Sequence, residues 1–162
     1  MGIAPYIQRL RSLVGHELLV LPSVAVLPRD SEGRMLLVRI IDTNQWATIG
    51  GAIEPDESPE MAAVRETREE AGVDVALGDI LGVFGGPEFR LTYPNGDQTS
   101  YVSIVFDATV TGGRPTPDDD ETSAVQWWAA DELPFDQMSA FTRALFRGLG
   151  FDGSPPRPGT PP

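Results

Sequence analysis

Residues 51–73 read GAIEPDESPEMAAVRETREEAGV. Working back from its end, Gly72 is a usual helix-stopping residue. Ser58-Pro59 is a usual start, an N-cap followed by proline at the first helical position. The spacing predicts a helix over 58–71. On it, Glu66 and Glu70 stand at i and i+4, so their carboxylates leave the same face, and Glu69, at i+3 from Glu66, joins its edge. Like charges so placed weaken a bare helix by a few tenths of a kcal/mol, roughly, per pair. A hard divalent cation wants such a cluster of carboxylate oxygens and would cancel the repulsion. Just upstream, Gly50-Gly51 offers backbone without side chains, where a carbonyl can approach the same ion. Arg65 is able to pair with a glutamate and hold it in place.

A glutamate-rich helix is usually only a solvated surface. On that reading Met61, Val64 and Ala71 form its buried stripe, and the same stripe is expected if the carboxylates are functional. Gly51, Glu57, Arg65, Glu66, Glu69, Glu70 and Gly72 nevertheless form a fixed pattern. Seven such positions co-occur by chance with odds of roughly 10⁻⁸ per starting point at background composition.

The pattern Gly-x5-Glu-x7-Arg-Glu-U-x-Glu-Glu-x-Gly-U, with U a bulky apolar residue, resembles the signature box of the Nudix hydrolases. Thr67 stands in the first U slot, a β-branched residue of similar volume. Trp46 also looks like the family's approach to the box, while Ile49 stands where proline commonly precedes the glycines. The resemblance covers about residues 18–149. It implies an α/β fold, a Nudix-type α/β/α sandwich with a central mixed β-sheet and a catalytic loop-helix. The activity it implies is Mg²⁺-dependent cleavage of the diphosphate linkage in a nucleoside diphosphate derivative, of ADP-ribose or nucleotide-sugar type, to give a nucleoside monophosphate. Mn²⁺ is expected to substitute. Two further readings are a house-cleaning nucleoside triphosphate pyrophosphatase and a non-catalytic nucleotide sensor on the same fold. The intact set Glu57, Arg65, Glu66, Glu69 and Glu70 speaks against the sensor, since binding alone would not need it.

Carried over residue by residue, Glu66, Glu69 and Glu70 look like metal ligands, with Gly50 or Gly51 offering a carbonyl, and Glu57 and Arg65 look like their supports. The general base in this family is a box glutamate or one from a later loop. Glu121, in the acidic stretch 118–121 before Trp127-Trp128, is the loop candidate, and Asp118, Asp119 and Asp120 are expected to be solvated. The segments 85–89 and 93–97 are similar to a bacterial subgroup whose substrates are largely unassigned. Phe89, Tyr93 and Tyr101 are candidates to stack on a base. His16 is expected to be structural or exposed. The resemblance leaves a homodimer open.

Outward from the box, the single domain is expected over 1–151. A leading helix within 1–15 carries Ile3, Ile7, Leu10 and Val14 at helical spacing, with Arg9 and Arg11 off that stripe. Residues 18–27 and 35–41 read as a strand hairpin about the turn 30–33, Pro22 confining the first part to an edge or a bend. A loop spans 42–56. Strands follow at 73–83, 89–93, 101–110 and 125–129, with Asn95-Gly96 as a tight hairpin turn and a polar loop over 111–121. A helix over 138–149 closes the domain. Trp127 and Trp128 alternate, which predicts one ring inside and the other out. Residues 152–162 carry five prolines and read as a disordered tail.

Composition narrows the partners. The 12 Lys+Arg against 24 Asp+Glu give a formal charge of −12, which argues against nucleic-acid binding and against adsorption to an anionic membrane. Hydrophobic residues at 41% suffice for a core, and Cys 0 excludes disulfides, thiolate zinc sites and cysteine nucleophiles. No signal or spanning stretch is readable, and a cytoplasmic location is the default expectation.

Overall fold

In the computed structural model the described residues are 4–151. They form a seven-stranded mixed sheet with helices on both faces. The strands are β1 (Leu19–Arg29), β2 (Met35–Ile40), β3 (Trp46–Ala47), β4 (Val73–Phe84), β5 (Arg90–Thr92), β6 (Gln98–Gly113) and β7 (Thr122–Trp128). The helices are α1 (Pro5–Val14), α2 (Pro59–Ala71) and α3 (Ala140–Gly148). The order is β3-β2-β1-β6-β4, with β5 added to β6 and β7 to β2. This is the expected α/β/α sandwich. The segments 1–3 and 152–162, including the expected tail, lie outside the described residues.

At the centre β1 and β6 run parallel, in register from Leu19↔Thr99 to Arg29↔Thr109. Both faces of β1 are covered, which is why its sequence is an almost continuous apolar run. Ala25 and Leu27 join Met35, Leu37, Trp46, Val105, Leu145 and Phe146 beneath α3. Val24 and Val26 face α2, where Ala62 and Ala63 meet Phe106 and Ala108.

Several expectations need correction. The hairpin contact of β1 and β2 is made at Arg29↔Met35, and the main ladder of β1 is with β6. Pro22 therefore lies in a central strand. It is tolerated because the segment 49–53 runs beside β1 in place of a full strand, with Val24 and Val26 donating to the Gly51 and Ile49 carbonyls at 2.9 and 2.8 Å. Pro22 gives that segment its carbonyl, accepting from the Ile53 amide at 3.1 Å, so its missing proton costs only the return bond at the end of this short pairing. The expected loop 42–56 also holds the two-residue strand β3.

Trp127 and Trp128 are both half-buried, one beside Leu36 and Val38, the other against Trp46, because the sheet is packed on both faces. In α2 only Ala71 of the expected stripe is buried. Met61 and Val64 are exposed, while Ala62, Ala63, Glu66, Thr67, Glu70 and Ala71 are buried. Small residues bring the helix close to the sheet, and the carboxylates share its inward side.

No residue of α1 is fully buried; of its apolar stripe Ile7 and Leu10 are half-buried and Val14 is exposed. Arg11 ties the helix to the sheet, donating to the Gln98 carbonyl at 2.7 Å and to Thr99 Oγ1 at 3.0 Å, with Asp97 Oδ2 3.5 Å away. Among the described residues no helix is long and apolar enough to cross a membrane.

Candidate active site

Helix α2, which carries the box glutamates, forms as its sequence dictates. Ser58 Oγ accepts from the Met61 amide at 3.2 Å, Pro59 opens the first turn, and Gly72 closes the helix in the left-handed region at φ 68°. Thr67, fully buried, returns its hydroxyl to the Ala63 carbonyl at 2.7 Å, so the polar atom in this apolar slot is satisfied.

Glu66 and Glu70 are each 6% exposed. Burial pushes the Glu66 carboxyl above the usual range, against the pull of Arg65 and with the charges of Glu69 and Glu121 adding to the push. Burial raises Glu70 further. The Gly50 amide, donating to Glu70 Oε2 at 3.0 Å, opposes the rise, whereas Glu66, Glu121 and Asp118 reinforce it. The structure thus brings Glu121 into the field of both box carboxylates.

Arg65 is the fastening point. Its guanidinium donates to Glu57 at 2.8 and 2.9 Å, to Glu66 at 2.8 Å, to Glu69 at 3.1 Å and to the Ala52 carbonyl at 3.3 Å. The Arg65 hydrogen bond holds the Glu57 carboxyl below the usual range despite partial burial. Glu57 also accepts the Glu54 amide at 3.1 Å, tying the loop ahead of α2 to the same centre.

The glycine pair fits closely around these groups. Gly50 adopts φ 152°, and a β-carbon there would collide with the Val24 carbonyl. A β-carbon on Gly51 would occupy the space of the Glu66 carboxylate. The Gly51 carbonyl is already committed to the Val24 amide in the sheet, which leaves Gly50 as the glycine to offer one to an ion.

Asp118 is exposed, as expected, and it also organises its loop. Its Oδ1 accepts from the Asp120, Glu121 and Thr122 amides at 3.1, 3.0 and 2.8 Å and lies 3.0 Å from the Thr122 hydroxyl. Desolvation on the loop raises its carboxyl, and these amides outweigh that effect and hold it below the usual range. Thr122 Oγ1 also lies 2.9 Å from the Glu70 carbonyl, and the Thr116 amide donates to the Ala71 carbonyl at 2.9 Å. Sequence reading missed this fastening, although an Asp four residues before a Thr, each able to bond local backbone, was the available signal.

Among the described residues no three acidic or histidine side chains stand in metal-binding geometry. The donor chemistry still fits a hard divalent cation, because Glu66 and Glu70 are buried carboxylates whose other charged neighbours, apart from Arg65, are negative.

Of the stacking candidates, Phe89 is corrected. It is 4% exposed and packed in the core, its ring against Phe84 and Phe141 at 6.1 and 5.0 Å between centroids, and presents no face to a base. The residues 87–89 form a short 3-10 turn that points it inward. Tyr101 is half-buried, hydroxyl to hydroxyl with the exposed Tyr93 at 2.7 Å. Burial raises its phenol, with Glu66 among the charges that add to the rise. His16 is exposed and bonds Asp97 at 2.7 Å.

The NUDIX domain model matches residues 20–149 of the chain. The chain belongs to the Nudix family. It is 34% identical over 109 residues to a Bacillus subtilis (strain 168) protein whose provisional name is 8-oxo-dGTP diphosphatase, covering 67% of this chain and 66% of that protein. It is 32% identical over 122 residues to the nucleoside triphosphatase NudI of Salmonella heidelberg (strain SL476), 70% of this chain and 86% of the relative. Among solved structures, the MutT protein of Methanosarcina mazei Go1 superposes with a TM-score of 0.68 at 26% identity, covering 86% of this Nudix chain and 99% of that one.

Proposed function

We propose that this Nudix hydrolase cleaves a nucleoside triphosphate within its phosphate chain, releasing a nucleoside monophosphate and pyrophosphate. The observation that carries the proposal is the buried pair Glu66 and Glu70, within the electrostatic reach of Glu121 and beside the side-chain-free segment Gly50-Gly51. The names of the two curated relatives, an 8-oxo-dGTP diphosphatase and a nucleoside triphosphatase, support putting triphosphates first in this reading. The ADP-ribose and nucleotide-sugar class expected from the sequence stands second, since the same carboxylates would serve either diphosphate linkage.

In this proposal Glu66, Glu69 and Glu70, with the Gly50 carbonyl, would hold a divalent ion, Mg²⁺ or Mn²⁺ in its place. When bound, such an ion offsets phosphate charge and acidifies a water. The remaining work belongs to the chain. Arg65 fixes Glu66 and Glu69, and the Gly50 amide fixes Glu70. Glu121 accepts the proton of the attacking water as its oxygen bonds to phosphorus and the bridging P–O bond breaks. The glycine pair leaves the phosphate chain a path past the helix.

The test is product analysis by mass spectrometry on a panel of triphosphates, ADP-ribose and nucleotide sugars with Mg²⁺. Monophosphate and pyrophosphate from a triphosphate are expected. Inert triphosphates alongside rapid cleavage of ADP-ribose or a nucleotide sugar would favour the second class.

A further inference from the structure

Ser23 and Ser103 are register partners on the central parallel strands β1 and β6, 4% and 0% exposed. Among the described residues neither hydroxyl has a hydrogen-bond partner. Strand alternation places them on the α3 face, between Leu21↔Tyr101 and Ala25↔Val105, and Ala25 and Val105 belong to the apolar core there. A buried hydroxyl without a partner costs stability, and alanine would fill either position without that cost. Two such groups side by side, about 5 Å apart on neighbouring strands, imply a use that repays them. Trp128 Nε1 is also unpartnered but lies on β7, away from this pair.

Their position relates them to the site. Ser23 forms a backbone bridge with Ala52, next to Gly51 and bonded through its carbonyl to Arg65. One step along the same face, Tyr101 is half-buried, edge-on to Phe141 at 6.2 Å and paired to Tyr93, so that end of the row leads to the surface. A phosphate chain at the glycine pair and a ring entering past Tyr101 would meet over the serines.

We infer that Ser23 and Ser103 form a polar notch that reads the edge of the substrate's nucleobase. The inference rests on the nucleotide-hydrolase reading above. Each hydroxyl donates and accepts, so the pair suits a planar ring with a donor beside an acceptor. Because both hydroxyls are covered, the aromatic layer at Tyr101 and Phe141 shifts when the ring enters. A ribose hydroxyl offers the same chemistry, which makes the sugar the competing source.

The experiment compares wild type with Ser23→Ala and Ser103→Ala. The measurements are the melting temperature without ligand, calorimetric binding of the four ribo- and deoxyribonucleoside monophosphates, and kcat/KM on the corresponding triphosphates. Each variant is expected to melt at the same temperature or a few degrees higher. Each is expected to bind the preferred base about three- to tenfold more weakly, with the other bases unchanged. A lower melting temperature with an unchanged base ranking would overturn the inference, since the serines would then be structural. A loss that follows ribose against deoxyribose, whatever the base, would also overturn it. Serine-dependent binding without hydrolysis of any triphosphate would uphold the notch while rejecting the triphosphate reading.

Discussion

Gly51 and Glu66 meet with no room for an atom between them: a β-carbon built on Gly51 would stand 2.6 Å from Glu66 Cδ. The obstructed group is the end of a flexible side chain, and Gly51 does not sit at positive φ, so Gly51→Ala should fold. It should displace the carboxylate instead, cutting turnover at least tenfold while the melting temperature drops by less than about 3 °C. Gly50→Ala is the contrast. Its φ of 152° and the Val24 backbone against its β-carbon cannot yield cheaply, so thermal melts should show a loss of several degrees or failure to fold.

Exchanging Glu66 or Glu70 for Gln should lower Mg²⁺-dependent turnover at least a hundredfold, about 2.7 kcal/mol of barrier. Gln keeps the shape and the helix propensity of Glu. Glu60→Gln is the control, because Glu60 lies exposed in the first turn, away from the cluster. Near-normal turnover in both the Glu66 and Glu70 variants would contradict the assignment.

Glu70 also carries a pH signature. A carboxyl raised by burial contributes stability that is complete below its ordinary value of 4.5 and lost as pH climbs through its folded value. Without metal, Glu70→Gln should therefore melt above wild type at pH 8, the gap closing as pH falls towards 4.5. Adding Mg²⁺ at pH 8 should raise the melting temperature of wild type and leave the variant nearly unmoved. A gap that widens in acid would reverse the sign and exclude the argument.

Arg65→Lys keeps the charge but not the fork. One ammonium cannot span Glu57, Glu66, Glu69 and the Ala52 carbonyl together, so kcat should fall ten- to a hundredfold. A variant with unchanged kcat would show that one contact suffices.

Thr67→Val removes a hydroxyl bonded to the Ala63 carbonyl of its own helix and preserves the buried shape. Melting temperature should move by no more than about 3 °C, and turnover not at all. A large change in either would mean the threonine does more than fill an apolar slot.

The helix of the box was legible because its start, stop and carboxylate spacing are local properties. Ser58, Pro59, Gly72 and the i, i+4 pair need no tertiary information. Which side of α2 is buried was not legible. Apolar Met61 and Val64 suggested one stripe, but Ala62, Ala63 and the carboxylates of Glu66 and Glu70 face inward, and a residue's own hydrophobicity does not reveal that. Phe89 misled for a related reason, since an aromatic after a glycine corner suits a core as well as a base. The serine notch left no local trace, because Ser23 and Ser103 are brought together by a parallel pairing across eighty positions.

Thr122 and Thr116 bond the last carbonyls of α2, and Asp118 binds the turn that carries Glu121. The end of the helix and the loop beyond β6 thus cannot open one without the other. In hydrogen exchange the amides of Gly72, Thr116 and Thr122 should behave as one cooperative unit with a single opening free energy. Fraying of the helix end and release of the general-base candidate would then be the same event, so conditions that loosen one should silence the other.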